Sequence, residues 1–310
     1  MTPAVATIGT FDGMHLGHQH LAARLLDEAR SRGGRAMVFT FGNHPRQAPL
    51  LMPVAEKVGW LERMGIEVSV LDFTPELKSM SAGDFMARLA GEYGVTTLLM
   101  GFNNHFGHDR PDRFEGYVEL GARLGIDVVP VTEVLLPGVE RGVSSSAIRR
   151  LLVECRPEEA WAMLGRPYKV GGIVAHGKEV GRTIGFPTAN VEPLCGEQLI
   201  PGRGVYAARV RLLSGNGAVY PAMLNVGHRP TVDVKGAPVS IEAHLLGGFA
   251  RQIYGCDVEV EFLKYLRPER RFDSLDGLKR QLTDDARRVT TLFASGAFGL
   301  DATPCRLPEK

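Results

Sequence analysis

Over the first 131 residues, short β-rich runs alternate with segments of helical period, and beyond residue 168 that alternation stops. Val5 to Gly9, Arg35 to Phe41, Glu67 to Leu71, Val95 to Met100 and Ile126 to Val131 read as buried parallel strands. Helical patterns lie between them, near 17–32, 54–65, 81–93 and 112–124, and Ser81 with Asp84 has capping-box spacing at the third. Regular strand–helix alternation predicts an open α/β sheet with its ligand at the carboxyl ends of the strands.

The second half predicts a different architecture. Val205 to Arg211, Ala218 to Leu224, Val239 to Leu245 and Val258 to Leu263 are separated by turns containing Gly and Pro, which suits an antiparallel sheet or small barrel. A charged helical stretch from Ser274 to Phe293 closes it. The expected layout is a first domain over 1–155, a hinge over 156–168, a barrel domain over 169–295 and a flexible tail over 296–310.

A net charge of +1 gives no global field for nucleic acid or an anionic membrane, so an anion must be held by a local site. The four cysteines, Cys155, Cys195, Cys256 and Cys305, include no C-x-x-C pair and suggest neither a zinc site nor a disulfide framework. The N-terminus lacks a signal-peptide pattern, and no apolar run reaches the length of a membrane span. These features lead to the expectation of a cytoplasmic protein.

The run Gly9-Thr10-Phe11-Asp12-Gly13-Met14-His15-Leu16-Gly17-His18 leaves the first strand and enters the first helix. Such a turn aims free N–H groups and the helix dipole at one spot, which suits phosphate. His15 and His18, three apart, share a face, and Gly17 leaves room for close approach. Two imidazoles there could donate hydrogen bonds to charge on a departing pyrophosphate. An isolated H-x-G-H also fits two surface histidines after a glycine turn.

The longer G-x-F-D-G-x-H-x-G-H form resembles the FMN adenylyltransferase module of bacterial FAD synthetases, which is a Rossmann-like α/β nucleotidyltransferase. Phe41 to Arg46 is similar to that family's T-F-x-x-H-P stretch, and Gly101 to Gly107 to its flavin-side loop. Asn103 and Asn104 depart there from the family's acid and aromatic residues. Ser144 to Arg149 resembles the S-S-T-x-I-R phosphate motif. The resemblance implies catalytic roles for His15 and His18. It implies phosphate binding by Gly9, Phe11, Asp12, Gly17, Ser145, Ser146 and Arg149, and a flavin-side loop with Asn103, Asn104, Phe106 and Arg110. Without the family, the Ser-Ser-Ala-Ile-Arg run reads as an ordinary helix cap.

A second motif set follows. Gly177-Lys178-Glu179-Val180-Gly181-Arg182 is a glycine-bounded basic loop that does not fit a P-loop. In Gly185-Phe186-Pro187-Thr188-Ala189-Asn190, an extended backbone puts Thr188 and Asn190 on one face, where their oxygens could hold a Mg²⁺. Alternation places Ser240, Glu242 and His244 opposite Val239, Ile241 and Ala243. Alone, Glu242 reads as a solvated carboxylate.

The G-x-P-T-A-N segment, with Pro201 to Ala207, Asn225 to Thr231 and Leu266 to Glu269, resembles the riboflavin kinases. That resemblance implies an antiparallel barrel with a C-terminal helix, Gly177, Lys178, Gly181 and Arg182 around the ATP phosphates, Thr188 and Asn190 on the metal, and Glu242 as base. The segment Gly247 to Gln252 departs from the family's acidic loop. Together the two sets imply a bifunctional enzyme. Its kinase half would convert riboflavin and ATP to FMN, and its adenylyltransferase half FMN and ATP to FAD and pyrophosphate. Flavins would then be substrate and product rather than prosthetic groups, Mg²⁺ would accompany ATP, and no nucleic acid or membrane partner is implied. Two other readings fit the residues: an adenylyltransferase for another phosphorylated small molecule, and a flavin-binding sensor or carrier without catalysis.

Overall fold

The computed structural model describes the chain apart from residues 1, 43–47, 102–103, 136–141, 177–179, 215–216, 229–238, 248–251 and 299–310, and apart from the side chains of Val180, Arg182 and His228. The chain divides into two compact units, Met1–Ser145 and Ser146–Lys310.

The first unit runs β1 (Ala4–Ile8), α1 (Leu16–Ser31), β2 (Arg35–Phe41), α2 (Val54–Arg63), β3 (Glu67–Leu71), α3 (Pro75–Ser79), α4 (Ala82–Tyr93), β4 (Val95–Gly101), α5 (Phe114–Leu124) and β5 (Asp127–Val131). All strand pairs are parallel, in the order β3-β2-β1-β4-β5. The central strand is buried on both faces. Ala4, Ala6 and Ile8 pack with Phe85, Met86 and Leu89 of α4, while Val5 packs with Leu21 and Leu25 of α1. Two covered faces explain why this strand reads as an apolar run. The predicted cap of α4 forms: Ser81 Oγ accepts from the Asp84 N–H at 3.0 Å and donates to Asp84 Oδ2 at 2.6 Å.

Strand order reverses between β1 and β4, so the crevice at their carboxyl ends is a topological switch point. The Gly9–His18 turn leaves β1 there.

The second unit opens with α6 (Ser145–Val153, beginning at the division) and α7 (Pro157–Leu164). Then follow β6 (Tyr168–Ala175), α8 (Val180–Thr183), β7 (Ala189–Pro193), β8 (Gly204–Leu212), β9 (Val219–His228), β10 (Val239–Leu245), β11 (Asp257–Arg267) and α9 (Leu275–Ala294). The six strands close an antiparallel barrel in the order β10-β7-β6-β11-β8-β9. Closure leaves no free sheet edge. On its outer surface Val205, Ala207, Met223 and Leu263 pack with Val289 and Phe293 of α9.

The stretch expected as a hinge, 156–168, carries α7, whose Ala160, Met163 and Leu164 are buried. An apolar helical face needs cover, and α7 lies within the second compact unit. Of the expected tail, Phe298 packs on Trp161 and Phe293; the rest from 299 lies outside the described residues. Alternation along β10 holds for Ile241, Glu242, Ala243 and His244, but Ser240 is buried and Val239 exposed. Ser240 Oγ donates to the Gly227 carbonyl on β9, which satisfies the hydroxyl inside.

No helix among the described residues is long and apolar enough to cross a membrane.

Candidate active sites

The turn after β1 holds three residues with positive φ, Phe11 at 48°, Gly13 at 82° and Met14 at 41°. For Phe11 and Met14 such a backbone costs about 1–3 kcal/mol each, and it persists only where surroundings enforce it. Here burial enforces it, because both side chains are fully enclosed. The Met14 N–H also donates to the Phe11 carbonyl at 3.2 Å.

Asp12, expected among the phosphate-binding residues, is 2% exposed. Its carboxylate accepts from the Leu51 N–H at 2.9 Å and the Met52 N–H at 3.2 Å. It thereby anchors the chain entering α2. Ser145 Oγ donates to the Asp12 carbonyl at 2.8 Å, which holds Ser145 against the same turn. Ser146 and Arg149 follow on α6, the first exposed and the second half-buried.

His15 is the N-cap of α1, its Nδ1 accepting from the His18 N–H at 3.3 Å. The two imidazoles stack with centroids 3.6 Å apart, and His18 also lies against Phe11 at 5.0 Å. A Cβ on Gly17 would sit 3.2 Å from the His15 ring, so this glycine makes room for the histidine itself. A Cβ on Gly9 would likewise press on the Phe11 ring at 3.2 Å. His18 Nδ1 is buried with no hydrogen-bond partner among the described residues. Burial first, then the charges of His15 and Lys57, hold His18 well below the ordinary histidine pKa. Its ring is therefore neutral near pH 7 and carries one N–H.

In the expected flavin-side loop, the Asn104 amide donates to the carbonyl of Ile8, the last residue of β1. Phe106 is half-buried and packs against the core: its ring meets Tyr117 at 4.8 Å and Phe85 at 5.5 Å. The Tyr117 hydroxyl donates to the Phe106 carbonyl at 2.8 Å. Arg110 is exposed, and Asn103 lies outside the described residues.

In the barrel, the register brings the second motif set together. Glu242 on β10 pairs with Asn190 on β7 and with Asn225 on β9, and Asn190 pairs with Ala175 on β6. Directly paired residues point to the same face, so Asn190, Glu242 and Asn225 form one row, with Cβ atoms about 4.5–5.5 Å apart. Thr188 precedes β7 by one residue. Its segment is fixed from two sides. The His244 Nδ1 is 2.7 Å from the Pro187 carbonyl, and the His244 ring meets Phe186 at 5.2 Å. The Phe186 N–H donates to Gly181 at 2.8 Å, and a Cβ on Gly181 would collide with the Phe186 carbonyl. Gly181 thus serves close chain approach beside Thr188. Gly177, Lys178 and the Arg182 side chain lie outside the described residues.

Sequence reasoning gave no individual role to three residues. Lys57 has its ammonium against the turn after β1; its position four before Leu61, on the buried face of α2, was the available signal. Asn225 completes the row with Glu242. Glu269 reaches back over Gly227 to accept from Asn225 Nδ2 at 3.0 Å. No local pattern pairs residues 44 positions apart.

The chain combines a parallel α/β unit bearing two stacked histidines at its switch point with a closed barrel bearing Asn190, Glu242 and Asn225 in one row. The family model for FAD synthetase matches residues 1–147, and that for riboflavin kinase matches residues 164–293. Bifunctional riboflavin kinase/FMN adenylyltransferases of Pseudomonas fluorescens and Escherichia coli K12 are 36% and 37% identical to the chain. The alignments cover 94% of this chain and 94% of the first relative, and 93% and 92% for the second. A solved chain described as a macrolide-efflux protein from Streptococcus pneumoniae superposes with a TM-score of 0.82 at 30% identity, covering 93% of this chain and 94% of that one. The chain belongs to the bacterial bifunctional riboflavin kinase/FMN adenylyltransferase family.

Proposed function

We propose that the chain makes FMN from riboflavin in its barrel and FAD from FMN at the switch point of its parallel sheet, consuming one ATP at each. The observation that carries this reading is the pairing of Glu242 with Asn190 in a unit separate from the stacked His15 and His18. Two sites in two units suit two sequential transfers.

In the barrel, Glu242 accepts the proton of the ribityl 5′-hydroxyl as that oxygen attacks the γ-phosphorus of ATP; the bond to the β–γ bridging oxygen breaks and ADP leaves. Thr188 and Asn190 offer neutral oxygens beside the Glu242 carboxylate. That donor set suits Mg²⁺, a hard cation that keeps waters and relies on substrate phosphates for much of its coordination. Bound there, Mg²⁺ would neutralise charge on the transferring phosphates. Gly177, Lys178, Gly181 and Arg182 are assigned to the ATP phosphates on the strength of the family resemblance.

At the switch point, an FMN phosphate oxygen attacks the α-phosphorus of ATP and pyrophosphate departs, with no covalent enzyme intermediate. His15, His18, Ser145, Ser146 and Arg149 are assigned to the phosphates on the strength of the family resemblance. The loop of Asn104, Phe106 and Arg110 lies on the flavin side. Asp12 and Phe11 contribute by holding the turn. We place the enzyme in the cytoplasm, where Cys155, Cys195 and Cys256 remain thiols.

Incubation of the purified chain with riboflavin, ATP and Mg²⁺, followed by chromatographic separation of flavins, tests the reading. FMN followed by FAD is the expected result. FMN without FAD would remove the adenylyl assignment, FAD made only from added FMN would remove the kinase assignment, and no flavin product would remove both.

A further inference from the structure

We infer that Lys57 is a positioning residue for adenylyl transfer, fixing the backbone on which Phe11 and His18 are set. The inference rests on the reading that His15 and His18 mark that site.

Lys57 is 4% exposed and shares the buried face of α2 with Leu61. Burying an ammonium is costly, and an apolar residue of similar length would fill a purely structural position at lower cost. The charge is directed at main-chain carbonyls. Lys57 Nζ donates to the Thr10 carbonyl at 2.8 Å and to the Phe41 carbonyl at 3.2 Å. Thr10 belongs to the turn that leaves β1, and Phe41 is the last residue of β2, so one side chain ties together the carboxyl ends of adjacent strands. Thr40 Oγ1 donates to the same Thr10 carbonyl at 3.1 Å, which fixes that peptide from a second side.

The next residue is Phe11, held at positive φ, with its ring against His18. The path from Lys57 to Thr10, Phe11 and His18 is therefore a continuous set of contacts. The charged and titratable groups that interact across this path are Lys57, Asp12, His15 and His18. Burial pulls Lys57 down to about 8 against the opposing pull of Asp12, and the lysine charge helps keep His18 neutral.

The test uses the full chain bearing Lys57→Met, which keeps the stem and removes the ammonium, with His18→Ala assayed in parallel. In Lys57→Met, kcat for FAD formation from FMN is expected to fall about ten- to a hundred-fold, the scale for misplacing reacting groups by an ångström or less. KM for ATP should change much less, and riboflavin phosphorylation by the same protein should be unchanged. The pH at which the His18 ring takes up its proton, followed by NMR of labelled histidine, should rise because a neighbouring positive charge is gone. Unchanged FAD formation overturns the inference. So does an equal fall of both activities, which would make Lys57 a residue of general stability, and so does an unmoved His18 titration. If His18→Ala itself leaves FAD formation intact, the underlying site reading fails independently of Lys57.

Discussion

Glu242 and Asn190 are direct cross-strand partners on β10 and β7, so the proposed base and a proposed metal ligand project from one face of the barrel wall. This pairing gives Glu242 a neighbour that a lone solvated carboxylate would lack, and Asn225 flanks it on the other side. Glu242→Gln keeps the shape and removes the charge. Kinase kcat is expected to fall by about a hundred-fold or more while riboflavin affinity changes less than about threefold. Steady-state kinetics with equilibrium flavin binding measures both, and parallel losses would make Glu242 a binding residue.

Thr188→Ala and Asn190→Ala each remove one neutral oxygen donor. The Mg²⁺ concentration giving half-maximal kinase activity should rise several-fold, with adenylylation of FMN unaffected. An unchanged Mg²⁺ requirement in both variants would exclude these residues as ligands.

His18→Ala should abolish FAD formation and leave FMN production intact, because the two histidines and the barrel row lie in separate compact units. Flavin chromatography reads both products from one reaction. A folded variant that loses both activities would contradict independent sites.

The buried neutral His18 also links stability to pH. Its folded pKa lies below the unfolded value of 6.5, so the unfolded chain binds the extra proton first. Stability is therefore complete above about pH 6.5 and declines as pH falls below it, by up to about 1.4 kcal/mol per unit until the folded ring also protonates. Denaturant titrations of the wild type and His18→Gln between pH 7 and 5 should show a shallower decline in the variant.

Asp285 is fully buried on α9, where its Oδ2 pairs with Arg267 Nη2 at 2.7 Å and its Oδ1 accepts from Gln281 at 2.8 Å. Arg267→Ala strands that carboxylate and should destabilise the second unit by about 3–5 kcal/mol. Replacing both Arg267 and Asp285 by apolar residues should recover much of the loss. A single variant as stable as wild type would show that Asp285 reaches another partner.

Much of the architecture was legible because it follows from local rules. The five runs of the first unit lie within two residues of β1 to β5, since the inner strands β1, β2 and β4 are largely buried and read as apolar runs, while the partly exposed edges β3 and β5 keep β-branched residues. Val239 to Leu245 and the helix from Ser274 were legible through alternation and a serine cap that accepts from the Gly277 N–H at 3.1 Å. The helix α7 within 156–168 was not legible, because it offers only two turns of periodicity.

The site was legible in residue type and less so in role. Motif spacing on a turn or strand, a local property, drew attention to His15, His18, Thr188 and Asn190, whereas Glu242 was singled out only by the resemblance to riboflavin kinases. The tertiary structure decided that Asp12 anchors Leu51 and Met52, that Gly17 accommodates His15, and that Phe106 packs on Tyr117 and Phe85. It also brought Lys57 to Thr10 and Phe41, and Glu269 to Asn225. Each of these depends on chain segments meeting across tens of residues, where burial and hydrogen-bond satisfaction determine the partner and periodicity carries no information about it.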